Sequence, residues 1–347
     1  EPLAETEIFS KTTPNELNSA NLFVRLYRRA RRLTFWPRFG RFCSRHVEEF
    51  KPDLLHIHFG TTAASLLPLL EKMKAPIIVS LYGVDASAVL RDQAWVKRYV
   101  KLFERASMFL VLCDAVVERL AALGCPQEKM RVLNLPAGVE NYPLRRREFD
   151  GTTRFLIAAR FVEKKGHAVL LRAFREVLSQ RPDVHLTMMG YGPSNWISEL
   201  VKELCLEDST TLINNGLTAD FVRLYNQTLA GNDVFLAPST TAKDGDNEGG
   251  PALTMVAAQA AGLPVIATPF LGSELSLIPG ETGLLCEQDD VKSMASCMLE
   301  LCARPDIWKN LWEAGSCLVH REFSRVGQME KLIHLYEEVV SEYLVFR

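Results

Sequence analysis

An acidic, glycine-rich run, Gly245-Asp246-Asn247-Glu248-Gly249-Gly250-Pro251, stands directly before an apolar stretch from Ala252 to Ala261. The stretch reads as a buried helix with Pro251 in its first turn, where a missing N–H costs nothing. Gly262-Leu263-Pro264 stops it, and Val265-Ile266-Ala267-Thr268 reads as the next strand. The Glu248 carboxylate and free backbone N–H groups thus gather at a helix start beside a strand end. Such a place suits hydroxyl groups and phosphate. The plain alternative is a strand–loop–helix–strand unit of the kind that any α/β protein contains.

A second cluster follows the same logic. Arg160 comes after the strand 154–159, and Lys165-Gly166 opens a helix that runs to Gln180. A planar cationic fork, a mobile point charge and helix N–H groups together make a diphosphate site. Lys164 reads instead as solvated. Met189-Gly190-Tyr191-Gly192-Pro193 is a strand-to-helix turn, where glycine serves tight geometry in any case.

In the first half, His56 and His58 share one face of the strand 54–58. No third ligand accompanies them, so no metal pair is expected. His56 reads as a packed strand residue. His58 lies at the carboxyl end, where ligands bind in open α/β sheets, and reads as substrate-facing. Tyr82, in Ser80-Leu81-Tyr82-Gly83-Val84-Asp85, can donate and accept a hydrogen bond but is a poor base near neutral pH. Asp85 reads first as a helix cap and second as a partner for acceptor hydroxyls. Residues 23–45 carry eight arginines interleaved with Phe23, Tyr27, Phe35, Trp36, Phe39 and Phe42. That is the pattern of a helix on an anionic membrane surface, the alternative being a solvated helix with its aromatics turned inward. No nucleic-acid module accompanies it.

Strand and helix patterns alternate almost throughout, which predicts an α/β fold with parallel sheets. Strands are expected at 54–58, 76–81, 108–112, 130–133, 154–159, 184–189, 210–213, 233–237 and 265–268. A turn-rich basic stretch from Pro136 to Gly151 reads as a linker. The expected division is an N-terminal domain over 1–147 and a C-terminal domain over 148–325. A last helix over 326–347 is free to return to the first domain. The chain has 347 residues and a net charge of −2, shared unevenly. Residues 1–147 hold 23 Lys/Arg against 15 Asp/Glu, so the first half is suited to an anionic partner. The eight cysteines form no C-x-x-C pair, and reduced thiols in a cytoplasmic protein are expected. No apolar run is long enough to span a bilayer.

These motifs, taken in order, resemble the retaining glycosyltransferases of family 4, of the colanic-acid and exopolysaccharide kind. The resemblance covers about residues 50–340. Gly245-Asp246-Asn247-Glu248-Gly249-Gly250 and Ala258-Gln259-Ala260 are similar to the family's G-D-x-E-G-G and E-A-Q-A segments. Arg160 to Gly166 is similar to its G-R-x-x-x-x-K-G segment, with Ala159 in place of the glycine. The resemblance implies a GT-B fold of two Rossmann-like, doubly wound domains facing a cleft, with the first domain incomplete at its start. It implies transfer of a sugar from a nucleotide-sugar donor, a UDP- or GDP-sugar, with retention and without a metal or other cofactor. Arg160 and Lys165 would neutralise the departing diphosphate, and Glu248 would bind donor-sugar hydroxyls. Gly190, Gly192, Gly216, Leu217, Gly249, Gly250, Pro251 and Thr254 would line the donor site. His58, Tyr82 and Asp85 would face the acceptor, a polyprenyl-diphosphate-linked saccharide at the inner membrane. Two positions depart from the family. Tyr82 replaces a histidine, and the glutamate that holds the ribose would fall at Ala257. The rival expectation is a nucleotide-sugar-binding protein without catalysis. A nicotinamide-dependent dehydrogenase is disfavoured, because no strand–G-x-G-x-x-G–helix unit is present.

Overall fold

The computed structural model describes residues 39–145, 149–214, 220–248 and 250–345. Gly216, Leu217, Gly249 and residues 23–38 of the basic–aromatic segment therefore lie outside the described residues.

Two compact units divide the chain. One contains residues up to Asp53 together with Ser65–Lys74. In it, residues 39–50 are helical and Leu67–Leu70 forms one further helical turn. Phe42 is exposed on the longer helix, beside Arg41 and Arg45, and its ring lies against His46.

The larger unit holds two parallel sheets. The first is β1 (Leu55–His58), β2 (Ile77–Ser80), β3 (Met108–Val111) and β4 (Met130–Val132), paired in that simple order. Helices α1 (Gln93–Arg105) and α2 (Asp114–Ala122) connect its later strands. Asp92 caps α1 by accepting the Ala94 N–H, the role that an aspartate before an amphipathic run favours.

The second sheet has six strands in the order β10-β9-β8-β5-β6-β7. They are β5 (Thr153–Ala158), β6 (Val184–Gly190), β7 (Thr210–Asn214), β8 (Val234–Ala237), β9 (Val265–Ala267) and β10 (Gly283–Leu285). Strand order reverses between β5 and β8, so their carboxyl ends form the topological switch point where such sheets bind ligands. Both faces are covered. Phe155 and Ile157 point into a core with Phe174, Leu186 and Ile266. Leu156 and Ala158 point the other way, against Phe235, Met255 and Ala258. This two-sided burial explains why β5 is apolar at successive positions instead of alternating.

The helices around this sheet are α3 (His167–Gln180), α4 (Asn195–Glu203), α5 (Phe221–Ala230), α6 (Leu253–Ala260), α7 (Val291–Ala303) and α8 (Trp308–Phe323). The final helix, α9 (Arg325–Val345), packs Val339 with Ile78, Met108 and Leu110 of the first sheet. An ion pair of 2.7 Å between Arg131 and Glu338 adds to that contact.

One boundary differs from expectation. Pro251 does not lie in the first turn of α6. The helix begins at Leu253, and Ala252 before it keeps an extended ψ of 108°. Gly250 is pressed against Leu112, and Gly272 packs on Gly250 and Pro251, so these contacts hold the chain straight for two more residues. β10, three residues at the edge of the second sheet, was not among the expected strands. All eight cysteines are free thiols.

Candidate functional site

The loops leaving β5 and β8 meet at the switch point. After β5 the chain makes one 3-10 turn, Glu163–Lys165, and enters α3 through Gly166. Gly166 has φ +69°, and a Cβ there would collide with the carbonyl oxygen of Pro238, so the loops close only around glycine. Beyond β8, Pro238 to Glu248 folds back over this turn, with the Thr240 N–H donating to the Lys164 carbonyl at 2.8 Å.

The side chains then pair across the two loops. Lys165 donates to Glu248, and Ser239 Oγ donates to the same carboxylate oxygen at 3.1 Å. Burial pushes the Glu248 carboxyl up. The Lys165 and Lys164 ammonium groups and the Ser239 hydroxyl more than offset this and leave it below the ordinary glutamate value. Lys164 is not solvated, as its sequence setting suggested. It is buried and donates to Asp246 at 3.1 Å and to the Asn247 carbonyl at 3.0 Å. The acidic loop that covers it comes from 82 residues further along the chain and is invisible to local sequence. Arg160 is half-buried at the end of β5, and its side chain has no hydrogen-bond or ion-pair partner among the described residues. Two ammonium groups are thus paired with Asp246 and Glu248, while the Arg160 guanidinium has no such counter-charge among the described residues.

The neighbouring turns shape the same place. Gly190 ends β6, where a Cβ would collide with the Ala159 carbonyl oxygen. Gly192 has φ +114°, and its carbonyl accepts a 2.9 Å bond from Asn214 Nδ2. Thr254 lies in the first turn of α6, and its carbonyl accepts a 2.9 Å bond from the Tyr225 hydroxyl. His167, the first residue of α3, is buried against Phe161 and Trp196 with neither ring nitrogen bonded. Burial, then the Lys165 charge, pushes its pKa down to about 4, so the ring is neutral. A cavity of about 510 Å³ adjoins the Gly250–Gly272 contact and is lined by Ala115, Phe270, Leu271 and Glu274.

The connection between β2 and α1 reaches this loop directly. Arg91 donates to the Asp244 carbonyl at 3.0 Å, and its guanidinium covers Gly245. Sequence reasoning missed Arg91, because nothing in its neighbourhood announces a partner 153 residues away.

Ala257 proves to be a core position. It is 2% exposed, packed among Leu156, Ala158, Met189 and Tyr225, so a carboxylate there would have to enter this apolar cluster. Asp85 likewise does not face an acceptor. It is fully buried, and its two oxygens accept the Gly60 N–H at 2.8 Å and the Tyr82 N–H at 2.9 Å. It clamps the loops after β1 and β2 together. His58 at the end of β1 and Tyr82 in the loop after β2 are hydrogen-bonded to each other through His58 Nδ1 and the phenol oxygen. His56 is packed, bonded to Tyr336 at 2.6 Å and Ser80 at 2.8 Å. Burial, then the His58 charge, lowers its pKa to about 4. Among the described residues, no group of three or more His, Cys, Asp or Glu side chains is placed to hold a metal, and no helix is long and apolar enough to cross a membrane.

Comparison with known proteins relates the chain to a family and a fold. Residues 152–304 match the family described as glycosyl transferases group 1, and residues 13–136 match the glycosyl transferase 4-like domain. The amylovoran biosynthesis glycosyltransferase AmsK of Erwinia amylovora is 29% identical over 256 residues, covering 73% of this chain and 62% of that protein. WcaL of Salmonella typhimurium, assigned to colanic acid biosynthesis, is 28% identical over 262 residues, covering 74% of this chain and 63% of that protein. The chain therefore spans less than two thirds of the length of these curated relatives. Among solved structures, sucrose-phosphate synthase from Thermosynechococcus elongatus superposes with a TM-score of 0.75 at 19% identity, over 88% of this chain and 78% of that one. Anabaena HepE in complex with UDP gives 0.73 at 14% identity, over 86% and 82%. These two likenesses concern the fold, which is GT-B.

Proposed function

Because the chain belongs to the group 1 glycosyltransferases with a family-4-like domain before the group 1 domain, we propose that it transfers a sugar from a nucleotide-sugar donor to a saccharide acceptor in exopolysaccharide biosynthesis. The observation that carries this reading is the arrangement at the switch point of the second sheet. There the unpaired Arg160, the Lys165–Glu248 pair and the amino end of α3 stand together. HepE, of the same fold, binds UDP.

In this reading the donor diphosphate takes Lys165 from Glu248 and also meets Arg160. Glu248, released, accepts from hydroxyls of the donor sugar. The bond from the anomeric carbon to the phosphate oxygen breaks, a bond to the acceptor oxygen forms on the same face, and the acceptor proton passes to the leaving diphosphate. Fixed cations and helix N–H groups aimed at the departing charge supply the main stabilisation. The donor is a UDP- or GDP-sugar, no metal is needed, and the acceptor is a saccharide carried on polyprenyl diphosphate. Residues 23–45 hold the enzyme at the cytoplasmic face of the membrane.

The test is calorimetry with UDP and GDP, followed by a transfer and hydrolysis assay over a panel of nucleotide sugars. Micromolar binding of one diphosphate and turnover of its sugar are expected. Absence of binding by both would sink the reading. Binding without turnover would favour a non-catalytic nucleotide-sugar-binding protein, which Tyr82 in place of the family histidine also favours.

A further inference from the structure

Phe59 has no role in anything above, yet it is held in a costly conformation. It follows β1 with φ +70°, in the left-handed region that bulky side chains avoid. The surroundings enforce it. The Phe59 N–H donates to the Ser80 carbonyl at 2.9 Å, and the next N–H, on Gly60, is held by buried Asp85. Gly60 is pressed against Tyr99 and Leu81, where any Cβ would collide. Tyr99 in turn donates to the Asp85 carbonyl at 2.9 Å.

The strain does not carry Phe59 into the core, for the residue remains 46% exposed. The ring stands edge-on to Tyr82 at 4.9 Å, and Tyr82 lies parallel to His58 with centroids 6.0 Å apart. The result is an exposed aromatic face rimmed by an imidazole and a phenol, at the carboxyl ends of β1 and β2. Backbone strain kept at an exposed position marks a functional constraint better than a packing one.

We infer that Phe59, Tyr82 and His58 form a saccharide-binding platform, on which the terminal sugar of the acceptor lays its apolar C–H face against Phe59 and directs hydroxyls to His58 and Tyr82. The inference rests on the transferase reading for the word acceptor, but not for the platform. A face that is aromatic at its centre and polar at its rim suits a pyranose, which is itself apolar on its ring faces and polar at its edge. Asp85 acts as a positioning residue, since it sets both loops without reaching the surface.

The test uses the full chain and methyl glycosides of glucose, galactose, mannose and fucose as probes, followed by saturation-transfer NMR. At least one glycoside should bind, with transfer concentrated on the ring C–H protons. Phe59→Gly should weaken that binding about tenfold, since it removes the stacked ring, while the melting temperature holds or rises because the left-handed strain is relieved. Phe59→Asn, which also tolerates that conformation, should do the same. Binding of UDP and GDP, measured on the same samples, should not change. If no glycoside binds, or if both variants bind as wild type does, the platform is wrong. Loss of binding together with a marked fall in melting temperature would make Phe59 structural and also overturn it. Failure of the nucleotides to bind would sink the transferase reading alone.

Discussion

The Lys165 ammonium and the Glu248 carboxylate form an ion pair that joins the loop after β5 to the loop after β8. Those loops flank the one place where strand order reverses in the second sheet, so the pair spans the site that the topology opens. Both side chains are mostly buried, at 17% and 11% exposed.

Breaking the pair from one side should cost more than its net worth. Lys165→Met leaves the Glu248 carboxylate buried with only Ser239 and the more distant Lys164, and should lower stability by about 3 kcal/mol in urea unfolding. Glu248→Gln keeps the Ser239 bond and should cost less. The folded-state pKa of Glu248 is lowered, so its contribution is present above the unfolded value and is lost as pH falls through the folded one. The wild type should therefore lose an increment below about pH 4.5 that Glu248→Gln lacks. Identical acid limbs in the two proteins would contradict the pairing.

Arg160 offers the complementary case. Its guanidinium has no protein partner among the described residues, so Arg160→Ala should leave the melting temperature within about one degree. Loss of a charge-assisted contact should weaken UDP or GDP binding by about 1.5–3 kcal/mol, roughly 10- to 150-fold. Calorimetry decides, and unchanged affinity would remove Arg160 from the site.

Ala257→Glu separates resemblance from packing. A glutamate at this position would place an unpaired carboxylate between Leu156 and Met189. Stability should fall by at least about 2 kcal/mol, with no gain in nucleotide affinity. Tighter nucleotide binding at an unchanged melting temperature would show instead that position 257 faces the ribose.

His167 should make the protein acid-sensitive well above the carboxylate range. Its folded pKa is lowered to about 4 from 6.5, so the unfolded state binds the proton more readily. Stability from the neutral ring is complete above pH 6.5 and is lost as pH falls toward 4, by roughly 3 kcal/mol in all. Urea midpoints at pH 7 and pH 4.5 for wild type and His167→Phe should diverge by much of this amount. Parallel pH profiles would rule His167 out as the cause.

Membrane attachment is the remaining expectation from residues 23–45, of which Arg41, Phe42 and Arg45 are seen on an exposed helix. The protein should sediment with vesicles containing anionic lipid and come off as salt rises, since screening weakens such attraction. Equal recovery with neutral vesicles would end that idea.

The elements and the class of fold could be read from residue order alone. Nine strands and most helices were legible because apolar runs buried on both faces, bounded by glycine and proline, leave little else for the backbone to do. Residue order also marked Arg160, Lys165 and Glu248, since charged residues at strand ends and helix starts carry their chemistry in local context. Partnership and burial emerge only once the chain is folded. Lys164 reads as a surface lysine until the loop after β8 buries it. Asp85 reads as a cap until Gly60 and Tyr82 are brought to its two oxygens. Phe59 is one aromatic among many until its backbone is seen on the left-handed side. In each case the deciding atoms come from a different loop, and electrostatic pairing, desolvation and steric confinement depend on which atoms are near, something that sequence order does not specify.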